Sequence, residues 1–351
     1  MGLFKNKIYF FLLSPLLLIF TTLYSIAVYL RHSLYELKIF RSYKVPGKII
    51  SVGNITVGGT GKTPTVISLV HELLKAGKRT VVVSRGYKRK SSDQIVVHDG
   101  KTLLGNVVNS GDEPLIIASS TGVPTICDPD RVSASNFAIE NFDPEFIVLD
   151  DAFQHRKIKK DIDIVLVDER RFLGNKFLLP FGILRDFIFR LNSADILILS
   201  KVNSLDKKLI PKLKYLKKYG KKVLISYVNA DRIKNNQQEI LLDSIHDKNI
   251  YLFCGIGDPD NFYSSFENMK VSGKRSFSDH HYYSINDINA ILETGADYII
   301  TTLKDFVKLP EEFQTNERLF YLDISLDLYS ETLDKTSILE NIYLEKPEWR
   351  I

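Results

Sequence analysis

The 351-residue chain is 44% hydrophobic and 25% charged, so most of it reads as globular, and its length suits two domains of ordinary size. A net charge of +5 excludes a strongly basic nucleic-acid binder, although it suits contact with anionic lipid or phosphate. Two cysteines, Cys127 and Cys254, each inside an apolar run, exclude a disulfide framework or a CxxC metal pair and point to a reducing cytoplasm.

The first element is an uncharged run from Ile8 to Leu30. As a helix it would cover the ~30 Å hydrocarbon core of a bilayer. It is long for the apolar part of a signal peptide, and no small-x-small cleavage site follows before Arg31. Lys5 and Lys7 flank it on one side and Arg31, Lys38, Arg41 and Lys44 on the other, so charge alone does not orient it. Pro15 would allow a shallow, non-crossing insertion. The expectation is a membrane-associated protein, peripheral, monotopic or single-pass.

Next, residues 48–54 (KIISVGN) read as a buried strand, and a helix runs from Pro64 to Ala76 until Gly77 stops it. Further strands are expected at Thr80–Ser84, 123–127, 146–151, 162–168 and 194–200, with a helix over Arg131–Asn141. Continuous apolar strands alternating with helices indicate an α/β class with a mostly parallel, doubly wound sheet. Lys207–Lys222 reads as a lysine-rich surface helix and Asn229–Asp247 as a polar linker, after which the strand–helix pattern restarts. The expected division is a hydrophobic helix over 1–30, a nucleotide-binding domain over 31–220, and a smaller α/β domain over 221–351 that closes over the nucleotide.

Between the first strand and helix stands T-V-G-G-T-G-K-T: Thr56, Val57, Gly58, Gly59, Thr60, Gly61, Lys62 and Thr63. This is the phosphate-loop pattern G-x-x-x-x-G-K-[ST] with Thr56 in the first glycine's place. Glycines let backbone N–H groups converge on phosphate oxygens, lysine neutralises the β- and γ-phosphates, and the Thr63 hydroxyl ligates Mg²⁺. The strand at 146–149 ends in Asp150 and Asp151, either of which suits the same metal. Ser200-Lys201-Val202-Asn203 does not match the N-K-x-D guanine signature, so ATP is the expected nucleotide. A membrane-bound ATPase switch is the competing reading, but such proteins carry a lysine directly before the paired glycines, where this chain has Val57.

Polar clusters recur at the ends of the expected strands: S-R-G-Y (Ser84–Tyr87), G-D-E-P (Gly111–Pro114), D-D-A-F-Q-H (Asp150–His155), L-L-P with L-R (Leu178–Pro180, Leu184–Arg185), F-C-G-I-G (Phe253–Gly257), F-S-D-H-H (Phe277–His281) and T-T-L-K-D (Thr301–Asp305). In this order the set resembles the tetraacyldisaccharide 4'-kinase family, from the apolar helix to about residue 308. The resemblance implies two α/β/α domains with ATP between them, and phosphorylation of an acylated disaccharide 1-phosphate at its 4'-hydroxyl to give lipid IVA. It implies work at the cytoplasmic face of the bacterial inner membrane; from the charge, no nucleic-acid partner is expected, and no obligate protein partner is inferred. It makes Asp112 the catalytic base and His280 its partner. Lys62 and Arg185 would stabilise the transferring phosphoryl group, Gln154 and His155 would position phosphate or substrate, and Arg85 would meet the 1-phosphate. Ala152 stands where the family usually has glycine, and Asp186 where it usually has glutamate.

Overall fold

The computed structural model describes residues 7–87, 89–220, 222–279 and 281–350. In chain order the elements are α1 (Lys7–Glu36), β1 (Lys48–Asn54), α2 (Lys62–Lys75), β2 (Thr80–Ser84), β3 (Ile95–His98), α3 (Val107–Ser110), α4 (Asp112–Thr121), β4 (Thr125–Cys127), α5 (Arg131–Phe142), β5 (Phe146–Asp150), β6 (Ile162–Asp168), β7 (Ile196–Val202) and α6 (Ile210–Leu216). There follow β8 (Lys222–Lys234), β9 (Glu239–Leu241), β10 (Ile250–Cys254), α7 (Pro259–Ser264), β11 (Val271–Ser276), α8 (Ile285–Leu292), β12 (Tyr298–Thr302), α9 (Leu303–Phe306), α10 (Glu311–Gln314), β13 (Leu319–Tyr329) and α11 (Ile338–Glu345).

The chain forms two compact units. The first comprises residues 1–85, 130–227 and 327–351, and the second 86–129 and 228–326. The contacts thus divide the chain differently from the contiguous 31–220 and 221–351 expected from composition, because tertiary contacts return residues 86–129 to the second unit and the tail to the first.

The first unit's sheet runs β8-β7-β6-β1-β5-β2 with every pair parallel. Each residue of β2, β5 and β6 is buried, as apolar strands covered on both faces must be. From β1 the chain passes beyond β5 to β2, then later crosses back over β1 to reach β6. The C-terminal end of β1 is therefore a topological switch point, where open α/β sheets bind ligands. Helix α2 buries Val66, Leu69, Val70 and Leu73, a single face at helical spacing. Its Glu72 carboxylate accepts the backbone N–H groups of Ile338 (3.3 Å) and Leu339 (2.7 Å), satisfying donors at the start of α11. Beyond that helix, the Trp349 ring meets Phe146 of β5 edge-on at 5.6 Å.

Helix α1 belongs to this unit, and Ser14–Glu36 is long and apolar enough to cross a membrane. One side is gripped. Tyr24 Oη donates to the Arg185 carbonyl (2.9 Å), Thr21 Oγ1 accepts from Phe181 N (2.9 Å), His32 meets Asp186 at 2.7 Å and Arg156 donates to Glu36 at 2.6 Å. The other side leaves Leu16, Ile19, Phe20, Leu23, Ile26 and Leu30 at least half exposed.

In the second unit β11-β10-β12-β13 form a parallel sheet. Arg232–Lys234 of β8 pair antiparallel with β9, so the polar stretch expected to be linker is instead a hairpin. Helix α4 packs on the antiparallel pair β3–β4 through Leu115 and Ala118, in one cluster with Val97, Cys127 and Val307.

Candidate active site

In the first unit, the loop Ile55–Gly61 leaves the switch-point strand and feeds directly into α2. Asn54 sets its curve: the side-chain amide donates to the Thr56 carbonyl (2.7 Å) and to Thr60 Oγ1 (3.0 Å). Thr56, in the place of the usual first glycine, is buried and bridges to Leu184, while Val57 N donates to the Ile183 carbonyl at 2.9 Å. The substituted residue thus pairs as a short strand instead of turning freely. Lys62 and Thr63 open α2, a helix of 14 residues whose N-terminal N–H groups and dipole favour an anion.

The two aspartates at the end of β5 face different partners. Asp150 is wholly buried and accepts a hydrogen bond from Ser84 Oγ at 2.9 Å. Asp151, at a left-handed φ of 47°, turns toward the phosphate loop, with its Oδ1 3.7 Å from Lys62 Nζ. The positive φ falls on Asp151 and not on Ala152, so alanine in place of the usual glycine meets no backbone strain. Arg185 Nη1 lies 2.9 Å from both Asp151 Oδ1 and Asn54 Oδ1. Burial pushes the Asp151 carboxyl up, but Lys62 and Arg185 outweigh it and hold it below the usual carboxylate range. Lys62, Asp151, Arg185 and Asn54 are therefore one network at the mouth of the loop.

Gln154 and His155 sit behind this network. The Gln154 amide donates to the Asn54 carbonyl at 2.8 Å, supporting the strand that delivers the loop. Burial, reinforced by the Arg131 and Lys160 cations, pushes the His155 imidazole down to about 4, so it is neutral at pH 7 and offers a phosphate no charge. Arg85, directly after β2, is exposed.

The second unit holds Asp112 as the first residue of α4. Gly111 precedes it at φ 84°, and a Cβ there would lie 2.8 Å from the Tyr87 carbonyl, so the tight entry to the helix requires glycine. Asp112 is 7% exposed, with Lys304 Nζ 3.8 Å from its Oδ2. Lys304 also donates to Asp279 Oδ1 at 3.1 Å, which unites three of the sequence motifs in one cluster. Asp305, next to Lys304, is buried and accepts from Gly255 N (2.9 Å) and Thr302 Oγ1 (2.7 Å), fixing the glycine turn after β10. His280 lies outside the described residues. Its neighbour His281 stacks on Phe277 with ring centres 4.5 Å apart and faces Asp287 at 3.4 Å.

Reading the sequence alone assigns no role to Lys304 or Asp279, though T-T-L-K-D and F-S-D-H-H were visible motifs. Their signal was membership in the ordered set, not their chemistry.

Thr63 at the start of α2 and Asp150 and Asp151 at the end of β5 carry hard oxygen donors. Such a set fits Mg²⁺, which takes one or two protein oxygens beside phosphates and water.

A glycine loop at the switch point, a lysine opening the following helix and paired carboxylates on the neighbouring strand define a P-loop phosphotransferase. The family described as tetraacyldisaccharide-1-P 4'-kinase matches residues 13–343. Tetraacyldisaccharide 4'-kinases of Chlorobaculum parvum (36% identity, 97% of this chain and 96% of that protein) and Halothermothrix orenii (33%, 92% and 88%) are similar along nearly their whole lengths. The crystal structure of LpxK from Aquifex aeolicus in complex with ATP superposes with a TM-score of 0.77 at 31% identity, covering 93% of this chain and 97% of that one. The chain belongs to the tetraacyldisaccharide 4'-kinase family.

Proposed function

We propose that the protein transfers the γ-phosphoryl group of ATP to the 4'-hydroxyl of a tetraacylated disaccharide 1-phosphate, giving the 1,4'-bisphosphorylated lipid and ADP. The observation that carries this reading is the Lys62–Asp151–Arg185 network at the mouth of a glycine loop, in a chain whose family match spans residues 13–343.

A sugar hydroxyl has a high pKa, so its proton must leave as its oxygen bonds to phosphorus. The buried Asp112 carboxylate is the acceptor, with His280 as the partner that orients it. Lys304, held between Asp112 and Asp279, keeps a cation beside that carboxylate. Lys62 and Arg185 meet the charge on the transferring group and on the departing ADP oxygen, and the α2 N–H groups hold the β-phosphate. Thr63 with Asp150 or Asp151 would hold Mg²⁺, which neutralises charge between the β- and γ-phosphates when bound. Arg85, exposed after β2, would meet the 1-phosphate by charge.

The acceptor is a lipid, and α1 suits an enzyme seated at the cytoplasmic face of the inner membrane. From Thr21 onward one side of α1 is bonded to the first unit. The apolar run ahead of that contact, residues 8–20, makes roughly 20 Å of helix against a ~30 Å hydrocarbon core. With Leu23, Ile26 and Leu30 also exposed, the geometry favours a helix lying in the interface over one that crosses.

The test is transfer of radiolabelled phosphate from ATP to purified lipid A disaccharide 1-phosphate in mixed micelles. Labelled lipid supports the reading. Release of free phosphate without labelled lipid would instead favour an ATPase switch.

A further inference from the structure

Strand β6 ends in a tight turn that carries an arginine back over the phosphate loop. Asp168, 1% exposed, accepts the backbone N–H groups of Arg170 (2.9 Å) and Arg171 (3.1 Å) through one carboxylate oxygen, and Phe172 N donates to the Asp168 carbonyl at 2.7 Å. So placed, Arg171 Nη2 donates to the Val57 carbonyl at 2.7 Å. Its guanidinium also fills the space where a side chain at Gly58 would begin, since a Cβ there would lie 2.5 Å from Nη2 and 2.8 Å from Nη1.

Strand β7 approaches the next part of the loop. Ser200 Oγ donates to the Thr60 carbonyl at 2.8 Å. Lys201 follows, with its Nζ 3.7 Å from the second oxygen of Asp168 and 4.0 Å from a Cβ placed on Gly59. Phe172 and Lys201 hold φ angles of 47° and 58°, as Asp151 does at the end of β5. Left-handed backbone at non-glycine residues is costly and persists where the surroundings over-determine it. Here it recurs at the C-terminal end of β7 and just beyond the ends of β5 and β6.

We propose that Arg171 and Lys201, tied together by Asp168, are positioning residues that brace the paired glycines in the curve that receives the ATP phosphates. They set affinity for the nucleotide and leave the acceptor side untouched. This rests on the kinase reading above and adds to it a second pair of cations, distinct from Lys62 and Arg185. The Val57 carbonyl is a loop acceptor that would point at the phosphates' negative charge if it turned inward. A guanidinium bonded to it fixes it outward, and the neighbouring N–H groups are then free to face the anion.

The experiment compares Arg171→Ala, Arg171→Lys and Lys201→Ala in the full-length protein. KM is measured separately for ATP and for the lipid acceptor, and the rise in Tm on adding ATP is followed. Loss of one charge-assisted hydrogen bond predicts that Arg171→Ala raises the ATP KM about tenfold to a hundredfold. The acceptor KM should stay within about twofold, and the ATP-induced rise in Tm should shrink. Arg171→Lys keeps charge without the planar fork, so it should recover only part of the loss. An unchanged ATP KM in Arg171→Ala, or equal rises in both KM values, would overturn the brace. Failure of the wild-type protein to phosphorylate lipid would instead remove the kinase reading, so the two failures are distinguishable.

Discussion

Replacing Lys62 with alanine tests the centre of the nucleotide site, and its consequence can be bounded in advance. The Lys62 ammonium lies 3.7 Å from Asp151, in a side chain only 11% exposed. At an effective dielectric of about 20, unit charges at such a distance attract with a gross energy of about 4 kcal/mol, and a phosphate oxygen in the same place would feel a comparable pull. Losing one preorganised group aimed at developing charge lowers turnover by about 10²–10³-fold. The fold should survive, because Arg185 still holds Asp151 at 2.9 Å; a net loss of about 1 kcal/mol would lower Tm by only about 2–4 °C. The acid response should change as well. Wild-type Asp151 has a depressed carboxyl pKa, so its stabilising contribution is full above the ordinary 3.8 and is lost as pH falls below that value. Without Lys62 the depression is smaller, and so is the stability that acid removes. Steady-state lipid phosphorylation, with thermal unfolding followed from pH 7 down to pH 3, would measure both effects. A kcat/KM for ATP within tenfold of wild type, in a protein with an unchanged unfolding profile, would refute the reasoning.

Asp112→Asn should cut kcat by about 10²–10⁴-fold, the usual contribution of a general base, with ATP binding little changed by direct titration. Near-normal kcat would displace Asp112 from that role. For His155, the folded pKa of about 4 lies below the ordinary 6.5, so the unfolded chain binds more protons between those values and stability rises with pH across that window. His155→Gln should flatten that rise in denaturation curves taken from pH 4 to pH 7. Trp349→Ala removes a buried ring from the face of Phe146 and should cost about 3–5 kcal/mol in urea unfolding, a large effect for a residue so near the end of the chain. Removing residues 2–20 should release the protein from sedimented vesicles and leave Thr21, Tyr24 and His32 with their partners, so near-normal circular dichroism should accompany the loss of binding.

What could be read in advance was what the chain encodes locally. The strand expected at 48–54 is β1 to the residue, 162–168 is β6, and the phosphate loop and the paired aspartates lie where their flanking apolar runs placed them. Continuous burial and a glycine-rich turn are properties of neighbouring residues. The division into units was not legible, because β3, α4 and β4 are grouped by contacts with residues more than a hundred positions away. The polar run after Asn229 looked like linker because β8 there is half exposed, with strand geometry imposed by its partner β9 and not by hydrophobicity. Lys304 beside Asp112 and Arg171 above Gly58 left no pattern at any fixed spacing, since each contact depends on how two segments far apart in the chain are brought together.

The link from Glu72 to Leu339 joins residues 267 positions apart. The unit that contains the phosphate loop therefore cannot be finished during early synthesis. Its first strands leave the ribosome with Phe146 and the outer side of α2 still uncovered, and they must wait while the whole second unit is made before α11 and Trp349 arrive. Contacts of such long range form slowly and leave apolar surface open meanwhile. Until then the ring of Phe146 and the Glu72 side of α2 lack the cover that Trp349 and α11 give them.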